Sequence, residues 1–183
     1  FEVLGGTLDD AAGEAFDKVA RVLGLPYPGG PHIEALAREG SPVVHMPKML
    51  KGEGGYNFSY SGLKTAVINY CHTMEQRGEA WSRADVAASF QSAALDILVQ
   101  KTVEGALERK VTTVTAGGGV IANGYLREKL SKACKAHGLK LVLPVKKHCT
   151  DNAAMIAAEG LIQYEAGNFS PLSLNACASI PLR

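Results

Sequence analysis

This 183-residue chain is predicted to be an α/β protein. Three observations carry that prediction. Val111-Thr112-Thr113-Val114-Thr115 is β-branched throughout and reads as a buried strand. It runs into Ala116-Gly117-Gly118-Gly119, beyond which Leu126, Leu130, Ala133 and Cys134 recur at helical spacing. From residue 82 onward the order is helix, strand, helix, strand, helix, the pattern of a three-layer α/β unit. A hydrophobic content of 46% is enough for a core in one or two domains.

Taken in order, Phe1 to Leu4 reads as the end of a strand. Thr7 with Asp10 resembles a capping box, and a helix is expected over Leu8–Leu23, stopped by Gly24. Ala12, Phe16, Val19 and Leu23 form its apolar stripe, with Asp10, Glu14 and Asp17 on the opposite face. Lys18 and Arg21 follow Glu14 and Asp17 by four residues, so a solvated, ion-paired face accounts for these acids. Tyr27-Pro28-Gly29-Gly30-Pro31 is a rigid turn, with Pro31 suited to open a short helix that Gly40 ends. Strand-like pieces around Val43-Val44 and Tyr56–Tyr60 make 41–82 a loop-rich excursion or hairpin followed by a helix from Ser61 to about Met74. Ser82 with Asp85 caps a long helix, Arg83 to Glu108, apolar on several sides and therefore expected between layers. The strand 111–115, the glycine turn, a helix to about His137, a strand Leu139–Val145 and a helix Asp151–Gly167 complete the chain. This organisation divides it into 1–40, 41–82 and 83–183.

Charge and cysteine usage bound the function classes. The formal net charge is +1, so no global field draws the chain to nucleic acid or to a membrane. Locally, Arg127, Lys129, Lys132, Lys135, Lys140, Lys146 and Lys147 face one acid, Glu128, while the first forty residues lean acidic. A basic stretch beside a nucleotide-type turn is compatible with RNA contact and equally with a solvated helix face. The four cysteines form no CxxC pair, which suits a reducing cytoplasm. No apolar run is long enough to span a bilayer. The chain opens at Phe1 with no signal pattern and is expected to be a fragment that begins inside a domain.

Two places carry chemistry. The glycine turn lacks the Cβ atoms that would hold a ligand away from the backbone, and the helix after it offers free N–H groups. It reads either as a phosphate or ribose seat or as a tight strand–helix corner. Gly117, Gly119 and Ala122 formally satisfy GxGxxA. However, residues 139–149 hold no acid for a ribose, so an NADP-type reading would need Lys146 and Lys147 for a phosphate. His148-Cys149-Thr150-Asp151 is the one local cluster of potential ligands, and Asp151 equally suits a helix start. No HExxH or HxxxH pair, nucleophile elbow or P-loop is present.

Five segments together resemble one family: Leu8–Lys18, Tyr27–Pro31, Phe58–Thr65, Ala116–Val120 with Asn123 and Leu126-Arg127, and Cys149–Met155. In this order they are similar to the bacterial TsaD family (Gcp, YgjD), tRNA threonylcarbamoyladenosine transferases once described as sialoglycoprotein endopeptidases. The resemblance covers essentially the whole chain but about the C-terminal half of the family's length. It implies the actin-like ATPase (ASKHA, RNase H-like) fold, here a C-terminal domain plus a small part of the N-terminal one. It also implies transfer of threonylcarbamoyl from threonylcarbamoyl-AMP to N6 of A37 in ANN-decoding tRNA. Residues 1–40 would then supply a substrate-binding helix and turn, and 83–183 the nucleotide-binding half.

By the same resemblance, Asp17 would bind ribose hydroxyls. Gly30 and Glu34 would flank the ligand, Gly118 and Gly119 would approach it, and Asn123 would hydrogen-bond the nucleotide. Asp151 would ligate one divalent metal, iron or zinc, and an adenylate or ATP would be the substrate-type ligand. Expected partners are tRNA and the TsaB and TsaE subunits, in the cytoplasm and off the membrane. No residue of this chain is assigned the catalytic step. The family's HxxxH pair and its serine-glycine-glycine loop have no counterpart here, and Gly6 stands where many members carry Glu. The fragment alone is therefore expected to be inactive. A sugar-kinase half, an NADP-dependent reductase and a non-catalytic interaction module are the competing readings.

Overall fold

The computed structural model describes residues 2–50 and 54–177, and it is α/β. Phe1, part of the first expected strand, lies outside the described residues. Helix α1 is Ala12–Val22, α2 Gly29–Ala37, α3 Ser61–Arg77 and α4 Arg83–Glu108; strand β1 (Thr113–Thr115), α5 (Gly124–Ala136), β2 (Lys140–Val142) and α6 (Ala153–Glu165) follow. The two strands are parallel, with Val114 opposite Leu141.

The core sits where α1, α2 and α3 meet α4. Phe16 of α1 meets Phe90 of α4 edge to face, ring centroids 5.0 Å apart. Val19, Ile33, Leu63, Val67, Val86 and Leu95 are fully buried around them. Burying each side chain of this kind stabilises by about 1.5–3 kcal/mol. Helix α4 starts where the sequence places it, because the Ser82 hydroxyl accepts the Asp85 N–H at 3.1 Å. The Arg83 guanidinium then donates to the Leu23 carbonyl and ties α4 to the end of α1.

Several local expectations are corrected. Helix α1 begins at Ala12 rather than Leu8, because Thr7 uses its hydroxyl to bond the Asp10 carbonyl (2.7 Å) and so closes a turn instead of a cap. Asp9 points away to the start of α3, where its carboxylate accepts from the Ser59 hydroxyl (2.5 Å) and the Tyr60 N–H (2.7 Å). Helix α2 starts at Gly29, after a cis Tyr27–Pro28 bond, so Pro31 stands third in the helix; the helix ends at Ala37, before Gly40. Residues 41–60 form no hairpin among the described residues. Phe58 bridges Thr7 instead, and Val44 donates its N–H to the Ser89 hydroxyl of α4.

The strands are shorter than expected, and α3 runs three residues beyond Met74. A 3-10 turn, Gly119–Ala122, separates the glycines from α5. Helix α6 is apolar yet has no buried residue, with Met155, Ile156, Leu161, Ile162 and Tyr164 all exposed. Among the described residues no helix is long and apolar enough to cross a membrane.

Candidate functional site

A cavity of about 550 Å³ opens between the two ends of the chain's chemistry. One wall is Gly13, Phe16 and Asp17 of α1 with Pro28, Gly30, Pro31 and Glu34 of the next turn and helix. The other is Gly119, Val120, Ala122 and Asn123 of the glycine turn, with Thr150. Five of the residues singled out in the sequence therefore converge: Asp17, Gly30, Glu34, Gly119 and Asn123. The volume is in the range of small-ligand sites. Two larger clefts, about 770 Å³ beneath residues 42–50 and about 920 Å³ beside β1, contain none of these residues.

Asp17 is not on a solvated face. Its Oδ1 accepts the Gly29 N–H at 2.6 Å, so the start of α2 has a charged partner, and Oδ2 makes no hydrogen bond among the described residues. Arg21, expected as its ion-pair partner, makes no such pair among the described residues; Lys18 pairs with Glu14 (2.7 Å) as expected, and also with Asp10 (2.5 Å). Gly29 is required here, because a Cβ at that position would lie 2.5 Å from Ala20 Cβ and 2.8 Å from Asp17 Cα. Gly30, next along, has no atom within 4 Å of such a Cβ.

Glu34 reaches across the cavity. Its Oε1 accepts the Gly124 N–H at 3.1 Å and the Arg38 guanidinium at 2.5 Å, and so supplies an acceptor to the first turn of α5. Asn123 caps the same helix: its Oδ1 accepts the Leu126 N–H at 3.1 Å. Its Nδ2 donates to Gln91 Oε1 of α4 at 2.9 Å. Gly118 has φ +93°, a backbone conformation that favours glycine, and sits just outside the cavity lining. Gln91 was missed in the sequence, and Thr150 was named there only within the His148–Asp151 cluster and not as a residue of this site. Gln91 had one usable signal, an amide on a helix expected to be buried.

Asp151 is exposed, directly before Asn152, whose side chain caps α6 by accepting the Met155 N–H at 3.0 Å. No group of three or more His, Cys, Asp or Glu residues is placed to hold a metal among the described residues. One carboxylate does not complete a metal site.

The basic stretch divides into two sets. Arg127 turns inward, donating to the Ile121 carbonyl (3.2 Å) and the Pro144 carbonyl (2.9 Å) and approaching Cys149 Sγ at 3.8 Å. Lys129 meets Asp96 at 3.4 Å, and Lys132 meets Glu128 at 2.5 Å. Lys135, Lys140, Lys146 and Lys147 are exposed.

Comparison with known proteins adds a family and a fold. The family model for TsaD, tRNA N6-adenosine threonylcarbamoyltransferase, matches residues 1–158. The chain is 54% identical over all 183 residues to a tRNA N6-adenosine threonylcarbamoyltransferase of Geobacillus thermodenitrificans, spanning 54% of that protein. It is 50% identical to the one from Bacillus subtilis over its whole length, spanning 53% of that protein. The chain thus spans about half the length of the curated relatives it matches. The crystal structure of T. kodakarensis HypF superposes with a TM-score of 0.61 at 21% identity, over 88% of this chain and 21% of that one. This likeness, with the family match, supports the α/β actin-like ATPase fold.

Proposed function

The chain belongs to the TsaD family of tRNA N6-adenosine threonylcarbamoyltransferases, and from that premise we propose that its cavity holds the adenylate part of threonylcarbamoyl-AMP while N6 of A37 in an ANN-decoding tRNA attacks. The observation that carries this reading is the convergence of Asp17 and Asn123, over a hundred residues apart, on one cavity that the glycine turn also lines through Gly119. The relatives are named transferases, which favours this reading over a sugar kinase or a nicotinamide enzyme.

In the reaction, the amine nitrogen forms a bond to the carbamoyl carbon. The bond from that carbon to the phosphate oxygen breaks, AMP leaves, and the amine proton passes to solvent. This chain's part is to bind and orient. Asp17 Oδ2 accepts from a ribose hydroxyl, Gly30 leaves room beside it, and the turn at Gly118 and Gly119 approaches the nucleotide. Holding the leaving group fixed lowers the entropic part of the barrier. In this reading Asp151 would supply one carboxylate ligand to a divalent metal, iron or zinc, which would polarise the carbamoyl carbonyl. Lys135, Lys140, Lys146 and Lys147 are the cations available to tRNA phosphates. TsaB, TsaE and a cytoplasmic setting complete the reading.

The test is AMP binding by calorimetry. Losing one charge-assisted bond costs about 1.5–3 kcal/mol, so Asp17→Ala is expected to weaken AMP by roughly tenfold to a hundredfold. Unchanged affinity in Asp17→Ala would remove Asp17 from the site.

A further inference from the structure

Gln91 stands in the middle of α4, 5% exposed, with a polar side chain that the reading above does not use. It does not line the cavity. Its Oε1 faces one group of the site, the Asn123 Nδ2, at 2.9 Å. Asn123 is itself only 8% exposed and does line the cavity. We propose that Gln91 is a positioning residue for nucleotide binding, acting through the Asn123 carboxamide; this rests on the adenylate reading of the cavity.

A carboxamide has two donor hydrogens and two acceptor lone pairs. Asn123 spends one hydrogen on Gln91 and one lone pair on the Leu126 N–H. One hydrogen and one lone pair remain, enough to pair with a donor–acceptor edge such as that of adenine. Which end of an amide faces which way is decided by its partners, because the two ends are nearly identical in shape and the torsion that exchanges them is soft. The α5 cap demands oxygen on one side, and the Gln91 acceptor demands nitrogen on the other. Without Gln91 a buried N–H is orphaned, and Asn123 must turn to satisfy it at the expense of the cap.

The experiment uses the 183-residue chain, with AMP as the probe, calorimetry for affinity and urea unfolding for stability. Gln91→Met removes the acceptor at nearly constant size. It is expected to weaken AMP about tenfold, the worth of one hydrogen bond of about 1.4 kcal/mol. Gln91→Glu retains an acceptor of the same reach and is expected to stay within about threefold of the wild type, a rescue that a merely structural role would not give. Gln91→Asn, one methylene short of Asn123, is expected to follow Gln91→Met and serves where the latter does not fold. In an Asn123→Ala background, Gln91→Met is expected to change AMP affinity by less than about twofold, because the group it acts through is gone.

Equal affinity in the wild type and Gln91→Met overturns the proposal. So does a full tenfold effect that persists in Asn123→Ala, or a loss in Gln91→Glu as large as in Gln91→Met. A wild-type chain that binds no AMP overturns the adenylate reading itself, an outcome distinct from the variant results.

Discussion

Gly29 offers the most direct test of how the site is built. Replacing it with alanine puts a methyl carbon 2.5 Å from Ala20 Cβ, 2.8 Å from Asp17 Cα and 2.9 Å from the Phe16 carbonyl oxygen. Carbon atoms in contact need about 3.5–4.0 Å, so the first turn of α2 must withdraw from α1 by about 1 Å. Overpacking of this kind costs about 1–3 kcal/mol. The same withdrawal stretches the Gly29–Asp17 bond, now 2.6 Å, and a bond to a charged group contributes about 1.5–3 kcal/mol. The better helix propensity of alanine returns at most about 1 kcal/mol. The balance is a loss of about 1.5–6 kcal/mol, or roughly 3–24 °C in Tm for a chain of this size. Circular dichroism during heating and in urea measures it. Gly30→Ala is the control, because its methyl meets no atom within 4 Å: stability is expected within about 0.5 kcal/mol of the wild type. If Gly29→Ala proves as stable as Gly30→Ala, the close approach of α1 and α2 does not hold Asp17 in place.

Three further outcomes follow from contacts already described. Burial raises the Asp9 carboxyl, but the Ser59 hydroxyl and the Tyr60 and Ser61 groups outweigh it, bringing the pKa from its ordinary 3.8 to about 2. A depressed folded value means that this contribution is complete above pH 3.8 and disappears as pH falls towards 2. The urea-midpoint gap between wild type and Asp9→Asn is accordingly expected to be constant near neutrality and to close across that acid window. A gap that does not narrow there would refute the assignment. Glu34→Ala orphans the Gly124 N–H and is expected to lower stability by about 1–2 kcal/mol in urea unfolding; a neutral result would mean the bond across the cavity carries no weight. Arg127→Met removes the ties to Ile121 and Pro144 and is expected to cost about 1–3 kcal/mol, whereas Lys135→Glu stays within about 0.5 kcal/mol. Equal stability of these two variants would return Arg127 to the solvent-exposed cations.

What was legible in the sequence was mostly local. Helix α4 has both bounds at the expected residues, because its Ser82 cap and its apolar content are written in adjacent positions. The strand before the glycine turn was legible from β-branching, though not its short length, which is set by pairing with a partner far along the chain. For residues 41–60 the sequence left a loop-rich excursion and a hairpin both open, because aromatic and β-branched residues also suit a loop that lies along α4, as Val44 does at Ser89. Periodicity alone placed Asp17 among solvated acids. Its partner is a backbone N–H twelve residues on, brought near by a turn whose path no spacing rule encodes. The five-segment resemblance supplied the cavity's members where periodicity was silent. Gln91 escaped both, because its role depends on a residue 32 positions away.

The two walls of the cavity are drawn from the opening forty residues and from beyond residue 118, and the bond from Glu34 to Gly124 already spans them. A small molecule between those walls is a non-covalent cross-link of long sequence span. Mass action then makes occupancy and the docking of α1 and α2 a single equilibrium: at a hundred times Kd, a ligand that binds only the closed arrangement adds about 2.7 kcal/mol to its stability. The amides of α2 would then exchange more slowly with solvent deuterium as ligand rises, including those on turns that do not line the cavity. The nucleotide would act on the polypeptide as the missing staple of its own binding site.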